Sequence, residues 1–210
     1  YMAATAGVLE ADATLLAVSA WSDLGQATRA SDATMLLRSD FFPGLGWMIN
    51  KRVWAEIGPK WPIGYWDDWL REPQNRKGRA VIRPEVSRTY TFGEQGVSQS
   101  QYFRQYLANI KLNNVPVDWA AQDLSYLVKA NYDSAFFAAV RAARETADPM
   151  GVSCPTDPAE YRVTYSSVED RGAGTYPAIA RAGGWIPDVK AGVPRTAYGG
   201  VVTLRVNGCR

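Results

Sequence analysis

Histidine is absent from all 210 residues of this sequence, and cysteine occurs only twice. Without imidazole, Ser-His-Asp and Cys-His catalysis are excluded, as is every zinc site that needs histidine. Acid–base chemistry must therefore come from carboxylates, tyrosine, lysine or cysteine. The two cysteines, Cys154 and Cys209, show no metal-ligand spacing, and by themselves they indicate neither a redox compartment nor whether they pair.

Long apolar runs and long runs of one charge are also missing. No apolar run is long enough to span a bilayer, and no signal peptide is visible. The net charge is only +2, so nothing favours nucleic acid or a membrane surface as a partner. The sequence does not begin with methionine and ends directly after a strand-like run. We therefore interpret it as a fragment, for which missing targeting segments mean little.

Apolar and aromatic residues are plentiful. Hydrophobic residues make up 47% of the chain, which is ample for a packed core in one domain or in one domain plus an appendage. Eight tryptophans are many for this length. Aromatic rings of this kind fill cores or line sugar-binding sites.

The hydrophobic pattern predicts alternating helices and strands in the first part of the chain. Helices are predicted over residues 1–13, 51–57, 66–70, 98–107 and 124–143. Strands are predicted over residues 15–21, 80–82 and 87–92, a strand or turn over 41–47, and a polar loop over 22–34. This alternation favours the α/β class.

A change of pattern follows near residue 148. Residues 148–158 hold three prolines and one glycine, a composition typical of a linker. Beyond it, strands predicted over 161–165 and 201–206 flank a helix over 176–182. We therefore expect residues 1–147 to form one unit and residues 148–210 to form a small, β-rich α+β module.

The stretch YWDDWL, residues 65–70, places two adjacent carboxylates between two tryptophans. In a helix, Asp67 and Asp68 lie about 100° apart and should face different ways, whereas the tryptophans and Leu70 share one face. One interpretation is an amphipathic first turn in which Asp67 pairs with Arg71. The alternative makes one aspartate a general base beside an aromatic wall.

A second candidate site is the stretch GEQGVSQSQ, residues 93–101. Ser98 and Gln101 have the spacing of a capping box, which is typical of an ordinary helix start. The same geometry offers free N–H groups to a phosphate, and Gly93 and Gly96 would let the preceding loop close over it. Neither a P-loop nor a G-x-G-x-x-G pattern supports other nucleotide folds.

Taken together, these segments resemble the N-acetylglucosaminyltransferase I family. The motifs FFPGLGW, PKWP, WDDW, GRAVIRPEVSRTYTFG and GVSQSQYF occur in that family's order and spacing, followed by GVPR at residues 192–195. The resemblance implies an inverting Golgi glycosyltransferase of the GT-A fold, of which this chain would be the C-terminal part. Such enzymes transfer N-acetylglucosamine from UDP-GlcNAc, in β-1,2 linkage, to the α-1,3-linked mannose of a high-mannose N-glycan, which starts hybrid and complex N-glycan synthesis.

The resemblance also implies roles for six residues. Asp67 matches the family's catalytic base, which takes the proton of the acceptor hydroxyl while the donor's anomeric carbon is inverted. Trp66 and Leu45 match positions that wall the donor sugar. Ser98 matches a serine that hydrogen-bonds the donor diphosphate, on a loop, with Gly96 and Val97, that orders when the donor binds.

Two departures from the family's pattern accompany these matches. The acidic Glu-Asp-Asp motif that holds the family's Mn²⁺ would lie upstream of Tyr1, so we expect no metal ligand in this chain and no transfer by the fragment alone. Two family cysteines that form a disulfide fall on Ala17 and Val81, which should keep a packed contact without the bridge.

The resemblance places the full-length protein on the lumenal face of the Golgi membrane, with a single-pass type II anchor. Its partners would be UDP-GlcNAc and a high-mannose N-glycan on a glycoprotein, not nucleic acid. Two alternatives stay open: the related β-1,2-N-acetylglucosaminyltransferase that extends O-linked mannose, and a non-catalytic sugar-binding relative.

Overall fold

A computed structural model describes residues 1–94, 101–154, 159–166 and 175–209. Helices and strands are mixed throughout these ranges, as the α/β prediction requires. The elements are α1 (Met2–Ala11), β1 (Leu15–Ser19), β2 (Leu36–Ser39), β3 (Trp47–Met48), α2 (Lys51–Ile57), α3 (Trp66–Arg71), α4 (Pro73–Arg76), β4 (Ala80–Pro84), α5 (Lys129–Ala142), β5 (Arg144–Glu145), β6 (Tyr161–Arg162), α6 (Thr175–Gly183), β7 (Val189–Lys190) and β8 (Val193–Pro194). Shorter helical turns span Gly58–Lys60, Phe103–Leu107 and Ser125–Leu127.

A four-stranded sheet forms the centre of the fold, in the order β2-β4-β1-β3. Strands β1 and β4 are parallel, while β2 and β3 run antiparallel to their neighbours. Every residue of β1, β2 and β4 is buried. Both faces of these strands are therefore covered, which explains the continuous apolar runs LLAV and AVI in the sequence.

Apolar side chains pack on both faces of the sheet. On one face, Leu15 and Val18 of β1 meet helices α1 and α5. On the other face, Leu16 and Ala17 meet α2 and α3, with Leu70 of α3 completely buried. Helix α3 therefore lies directly on the sheet, so its position is fixed by the core.

Ala17 and Val81 are paired across β1 and β4, and both are completely buried. The two positions at which the resemblance implies a family disulfide thus face each other in neighbouring strands. This confirms the expectation that a packed contact survives without the bridge.

A buried ion pair joins the sheet to the helices on its first face. Arg38 of β2 donates from Nη1 to Asp12 Oδ2 at 2.8 Å, and both side chains are almost fully buried. Burial opposes the charge on Asp12, but hydrogen bonds from Thr14 and Arg38 outweigh it and lower the pKa of Asp12 to about 2. The same carboxylate accepts from the backbone N–H of Lys129, which fixes the start of α5.

Two predicted strands are wrong. Residues 87–92 form no ladder, and Ser87 makes only an isolated bridge with Leu112. The aromatic residues that suggested a strand there, Tyr90 and Phe92, are 54% and 85% exposed. Residues 201–206 form no ladder. Val201 makes an isolated bridge with Tyr198, and Val206 makes one with Cys209.

Other boundaries shift from those predicted. Strand β2 was not predicted, because the charged Arg38 and the polar Ser39 interrupt its apolar pattern. The predicted strand over 15–21 ends at Ser19, and that over 161–165 at Arg162. The helix predicted over 124–143 begins only at Lys129, since Val128 is extended (φ −62°, ψ 135°) and separates it from a 3₁₀ turn. Of the helix predicted over 98–107, residues 103–107 form a π-helical turn, and residues 98–100 lie outside the described residues.

The C-terminal segment is held by a disulfide and by packing against the first part of the chain. Cys154 and Cys209 form the disulfide, across 55 residues of sequence. Tyr176 and Ala180 of α6 pack with Trp185 against Leu24. Strands β5 and β6 pair across the proposed linker, and the division near residue 148 stays a prediction. None of the helices in the described ranges combines the length and apolar character needed to cross a membrane.

Candidate functional site

The apolar side of α3 packs into a cluster of aromatic rings. Trp66 lies 5.3 Å from Trp47 and 6.1 Å from both Phe42 and Trp61, measured between ring centroids. Trp69 meets Trp61 edge-on at 5.8 Å. The expectation that the tryptophans of this stretch face inward is therefore confirmed. This aromatic cluster forms one wall beside the two carboxylates.

Asp67 and Asp68 converge on a single guanidinium nitrogen. Arg71 Nη1 lies 2.9 Å from Asp67 Oδ2 and 2.8 Å from Asp68 Oδ1. The predicted Asp67–Arg71 pair is confirmed, but the expectation that the two carboxylates face different ways is wrong. Arg71 is four residues after one aspartate and three after the other, and both spacings bring side chains together on a helix.

Arg71 is itself held firmly, although the carboxylates are half-exposed. Its side chain is 8% exposed, against 41% for Asp67 and 44% for Asp68. Its Nε donates to the Phe42 carbonyl at 3.0 Å, and its guanidinium lies 4.7 Å from the centroid of the Phe41 ring. A fixed cation therefore positions two carboxylates that solvent or a ligand can reach.

The two aspartates differ in their remaining partners. Asp68 Oδ2 lies 3.4 Å from Lys190 Nζ. Burial opposes the charge on Asp68, but Arg71, with help from Lys190, outweighs it and holds the pKa of Asp68 below its usual range. Asp67 Oδ1 accepts no hydrogen bond from the described residues. Asp67 is thus the carboxylate with an oxygen available to a ligand, as a general base requires.

Lys190 belongs to a hairpin from the C-terminal segment. Strands β7 and β8 are joined by Ala191 and Gly192, which both have positive φ (50° and 77°), as a tight hairpin turn requires. The GVPR motif, residues 192–195, includes part of this turn and β8, and the sequence alone predicted no role for it. Lys190 and Asp68 lie 122 residues apart, and no local pattern connects them.

Arg195, the last residue of that motif, anchors the hairpin. It donates to Asp188 at 2.6 and 3.1 Å and to Asp23 at 3.0 Å. Burial opposes its charge, but Asp23 and Asp188 raise its pKa above the usual arginine range. Its guanidinium lies 5.1 Å from the centroid of the Phe41 ring, and the Arg71 guanidinium lies against the same ring. The hairpin and α3 therefore share one aromatic support.

Leu45, the second predicted donor-sugar wall, lies in a loop fixed by β1. Its carbonyl accepts from Ser19 Oγ at 3.1 Å, and its side chain is 42% exposed. Gly46 has φ 56°, and a Cβ there would meet Ala20 and Thr89 at 3.1 and 3.2 Å. Glycine suits this position for two reasons: the backbone has a positive φ, and neighbouring side chains leave little space for a Cβ. The loop thereby presents Leu45 to solvent.

The remaining predicted site residues, Gly96, Val97 and Ser98, lie outside the described residues. Their roles in binding the donor diphosphate stay predictions. After this stretch, Tyr102 lies beneath the Arg195 guanidinium, 5.6 Å from its ring centroid. Burial and the neighbouring Asp188 raise the pKa of the Tyr102 phenol. Tyr102, which follows the predicted donor-binding loop, therefore contacts Arg195, the same residue that anchors the hairpin.

A bound metal ion would need several carboxylate or cysteine side chains close together. Across the described ranges, no group of three or more cysteine and carboxylate side chains lies close enough to hold an ion. The residues present here therefore do not fit a cation site.

One large cavity of the described residues lies away from α3. It has a volume of about 960 Å³ and is lined mainly by apolar side chains of α5, α6 and the last residues of the chain. Neither carboxylate of α3 borders it. A general base must lie within hydrogen-bond reach of the proton it removes, and a large cavity alone does not provide one. We therefore take α3 and its aromatic wall as the candidate site.

Comparison with known proteins identifies a relative and a family for this chain. An alpha-1,3-mannosyl-glycoprotein 2-beta-N-acetylglucosaminyltransferase of Arabidopsis thaliana is 46% identical over 211 residues, which cover 100% of this chain and 46% of the relative. The chain thus spans about half the length of the curated relative it matches. The sequence profile of the GNT-I family matches residues 1–210. Because this match covers the whole chain, the chain belongs to the GNT-I family.

Proposed function

We propose that the protein carrying this chain is an inverting glycosyltransferase that moves N-acetylglucosamine from UDP-GlcNAc to a mannose of a high-mannose N-glycan. The observation that carries the proposal is Asp67, a half-exposed carboxylate with one oxygen held by Arg71 and the other open, beside the Trp66 wall. The name of the Arabidopsis relative, which specifies a mannosyl glycoprotein and β-linkage at position 2, supports the choice of substrates.

The geometry suits a single displacement. Asp67 Oδ1 accepts the proton of the mannose 2-hydroxyl as its oxygen attacks the anomeric carbon of the donor. The bond from that carbon to the diphosphate oxygen breaks on the opposite face, and the diphosphate leaves with the bonding electron pair. One displacement inverts the centre, with the base on the attacking side as in inverting hydrolysis. Arg71 keeps the carboxylate oriented through this step.

Leu45 and Trp66 would wall the donor sugar, and Gly96, Val97 and Ser98 would close on the diphosphate. The exposure of Leu45 and the half-burial of Trp66 are consistent with contact to a ligand. We further propose the GT-A fold, of which the parallel β1–β4 pair would be part. A Mn²⁺ ion, when bound, would neutralise the leaving diphosphate. Since the described residues do not fit such an ion, no step is assigned to it here.

The Golgi lumen is the proposed compartment, with a membrane anchor in the full-length protein. The Cys154–Cys209 disulfide supports this placement, because disulfides form and persist in oxidising compartments of the secretory pathway.

The test is a transfer assay on the full-length protein with UDP-GlcNAc, Mn²⁺ and two acceptors, a high-mannose N-glycan and an O-mannosyl peptide. We expect N-acetylglucosamine in β-1,2 linkage on the N-glycan. Faster transfer to the O-mannosyl peptide would identify the related O-mannose enzyme instead. Saccharide binding without transfer to either acceptor would identify a sugar-binding relative.

A further inference from the structure

Tyr65 is the residue immediately before α3, and its side chain contributes little to the packing of the fold. The side chain is 75% exposed. Within the described residues, its hydroxyl makes no hydrogen bond and its ring lies against no other aromatic ring. The two tryptophans that follow it in the same stretch, Trp66 and Trp69, are both packed into the aromatic cluster.

The backbone of Tyr65 makes this choice of residue unfavourable for folding. Its dihedrals are left-handed (φ 51°, ψ 38°), a region that glycine and asparagine enter far more readily than an aromatic residue. It also occupies the N-cap of α3, where it provides no side-chain hydrogen bond. Asparagine would satisfy both requirements better. An exposed aromatic ring in a disfavoured conformation at the edge of a reactive site is typical of a functional constraint.

The place of Tyr65 in the chain points to its ligand. Tyr65 lies two residues before Asp67, so their Cα atoms are at most about 7.6 Å apart, twice the spacing of consecutive Cα atoms. A base must lie within hydrogen-bond reach of the hydroxyl it deprotonates. The sugar that carries that hydroxyl therefore lies against the start of α3, where the free ring is presented.

We propose that Tyr65 is an acceptor-binding residue, whose ring packs against the apolar face of the mannose unit held by Asp67. This inference rests on the proposed function and adds a subsite to it. Stacking needs the ring and not the hydroxyl, so phenylalanine would serve in its place. The donor sugar, walled by Trp66 and Leu45, would not depend on Tyr65.

The test compares Tyr65→Asn with Tyr65→Phe in the full-length protein. For Tyr65→Asn we expect an acceptor KM raised about threefold to tenfold, the range of a single aromatic contact. Its donor KM and its kcat at saturating acceptor should stay within about twofold, and its melting temperature should be equal or higher because asparagine suits the cap. Tyr65→Phe should keep the acceptor KM within about twofold.

Ile63→Asn supplies the matched control, since Ile63 is fully exposed in the same loop and has no ring. Its acceptor KM should be unchanged. The proposal is overturned if Tyr65→Asn leaves the acceptor KM unchanged, if Tyr65→Phe weakens the acceptor as much as Tyr65→Asn, or if Ile63→Asn has the same effect.

Failure of the proposed function is separable from failure of this subsite. If the unsubstituted protein transfers no sugar, the same variants are titrated with the high-mannose oligosaccharide by calorimetry. Weaker binding by Tyr65→Asn alone would then support the subsite in a non-catalytic relative. Equal binding by both Tyr65 variants and the unsubstituted protein would overturn it.

Discussion

Two aspartate–arginine pairs of nearly equal length occupy different environments in this molecule. Asp12 and Arg38 meet at 2.8 Å inside the fold, with side chains 5% and 1% exposed. Asp67 and Arg71 meet at 2.9 Å at its surface, where the aspartate is 41% exposed. The first carboxylate is surrounded by donors from Thr14, Arg38 and Lys129, whereas one oxygen of the second accepts no hydrogen bond from the part of the chain that the structure describes.

Under the proposed function, the surroundings, and not the ion pair itself, separate the structural carboxylate of Asp12 from the reactive carboxylate of Asp67. A carboxylate with every lone pair satisfied has nothing to offer a substrate, and its removal leaves a buried charge. A carboxylate held by one oxygen adds little to stability, but it has a fixed orientation and a second oxygen that can accept a proton from a substrate. Substitutions in the two pairs should therefore have opposite consequences for stability and turnover.

The largest stability effect is expected at the buried pair. Asp12→Ala leaves Arg38 charged and buried without its carboxylate, which typically costs about 3–5 kcal/mol of unfolding free energy. Asp67→Ala, the matched control at the surface, should cost less than about 1 kcal/mol. Urea unfolding monitored by tryptophan fluorescence would measure both. Similar losses in the two variants would contradict the comparison.

The Cys154–Cys209 disulfide should contribute the next largest effect. Its removal by Cys154→Ser with Cys209→Ser should cost about 2–4 kcal/mol, since it closes a loop of 55 residues. Because Lys190 and Arg195 lie inside that loop, the loss should loosen the hairpin against α3. Hydrogen exchange should rise at residues 185–195 and stay unchanged in β1 and β4. If removal of the disulfide leaves hydrogen exchange at residues 185–195 unchanged, this expectation is wrong.

Acid should weaken the contribution of the buried pair. The folded pKa of Asp12, about 2, lies below its ordinary value of 3.8. The stabilisation is therefore complete above about pH 4 and is lost as the pH falls from about 4 to 2. It should amount to about 2 kcal/mol, and Asp12→Asn should lack this component. Unfolding free energies of both proteins at pH 6 and pH 2 would show it. A parallel loss in Asp12→Asn would assign the acid sensitivity to other groups.

The smallest effect is expected at Lys190. Its contact with Asp68 is 3.4 Å long and both side chains are more than 40% exposed, so Lys190→Met should change stability by less than about 1 kcal/mol. If the contact also steadies the acidic pair, kcat should fall by a small factor, and Lys190→Arg should restore it. An unchanged kcat in Lys190→Met would show that Arg71 alone positions Asp67.

Local patterns predicted the parts of this structure that depend on neighbouring residues. The apolar runs of β1 and β4 predicted buried strands, and the spacing of Asp67 and Arg71 predicted their contact. Helix α2 begins and ends as expected, with Asn50 capping it by accepting from the Val53 N–H at 3.0 Å. In each case the deciding interactions lie within a few residues of one another.

Contacts between distant residues could not be predicted in this way. Lys190 reaches Asp68 across 122 residues, and Arg195 reaches Asp23 across 172. Two cysteines did not reveal that they pair. The pattern of the sequence also left open which of Asp67 and Asp68 is the proposed base, because both lie in the first turn of α3. The resemblance to the family singled out Asp67, and the structure adds that its second oxygen is open.

The most direct test of the account is the turnover number of Asp67→Asn in the full-length protein, measured beside Asp68→Asn at saturating UDP-GlcNAc and acceptor. Asparagine keeps the shape of the side chain but removes the base, and general bases contribute about 10²–10⁴ in rate. We expect kcat to fall by that factor in Asp67→Asn, with donor affinity and melting temperature nearly unchanged, and only a mild loss in Asp68→Asn. Equal losses of kcat in the two variants, or an active Asp67→Asn, would contradict the assignment of Asp67 as the base.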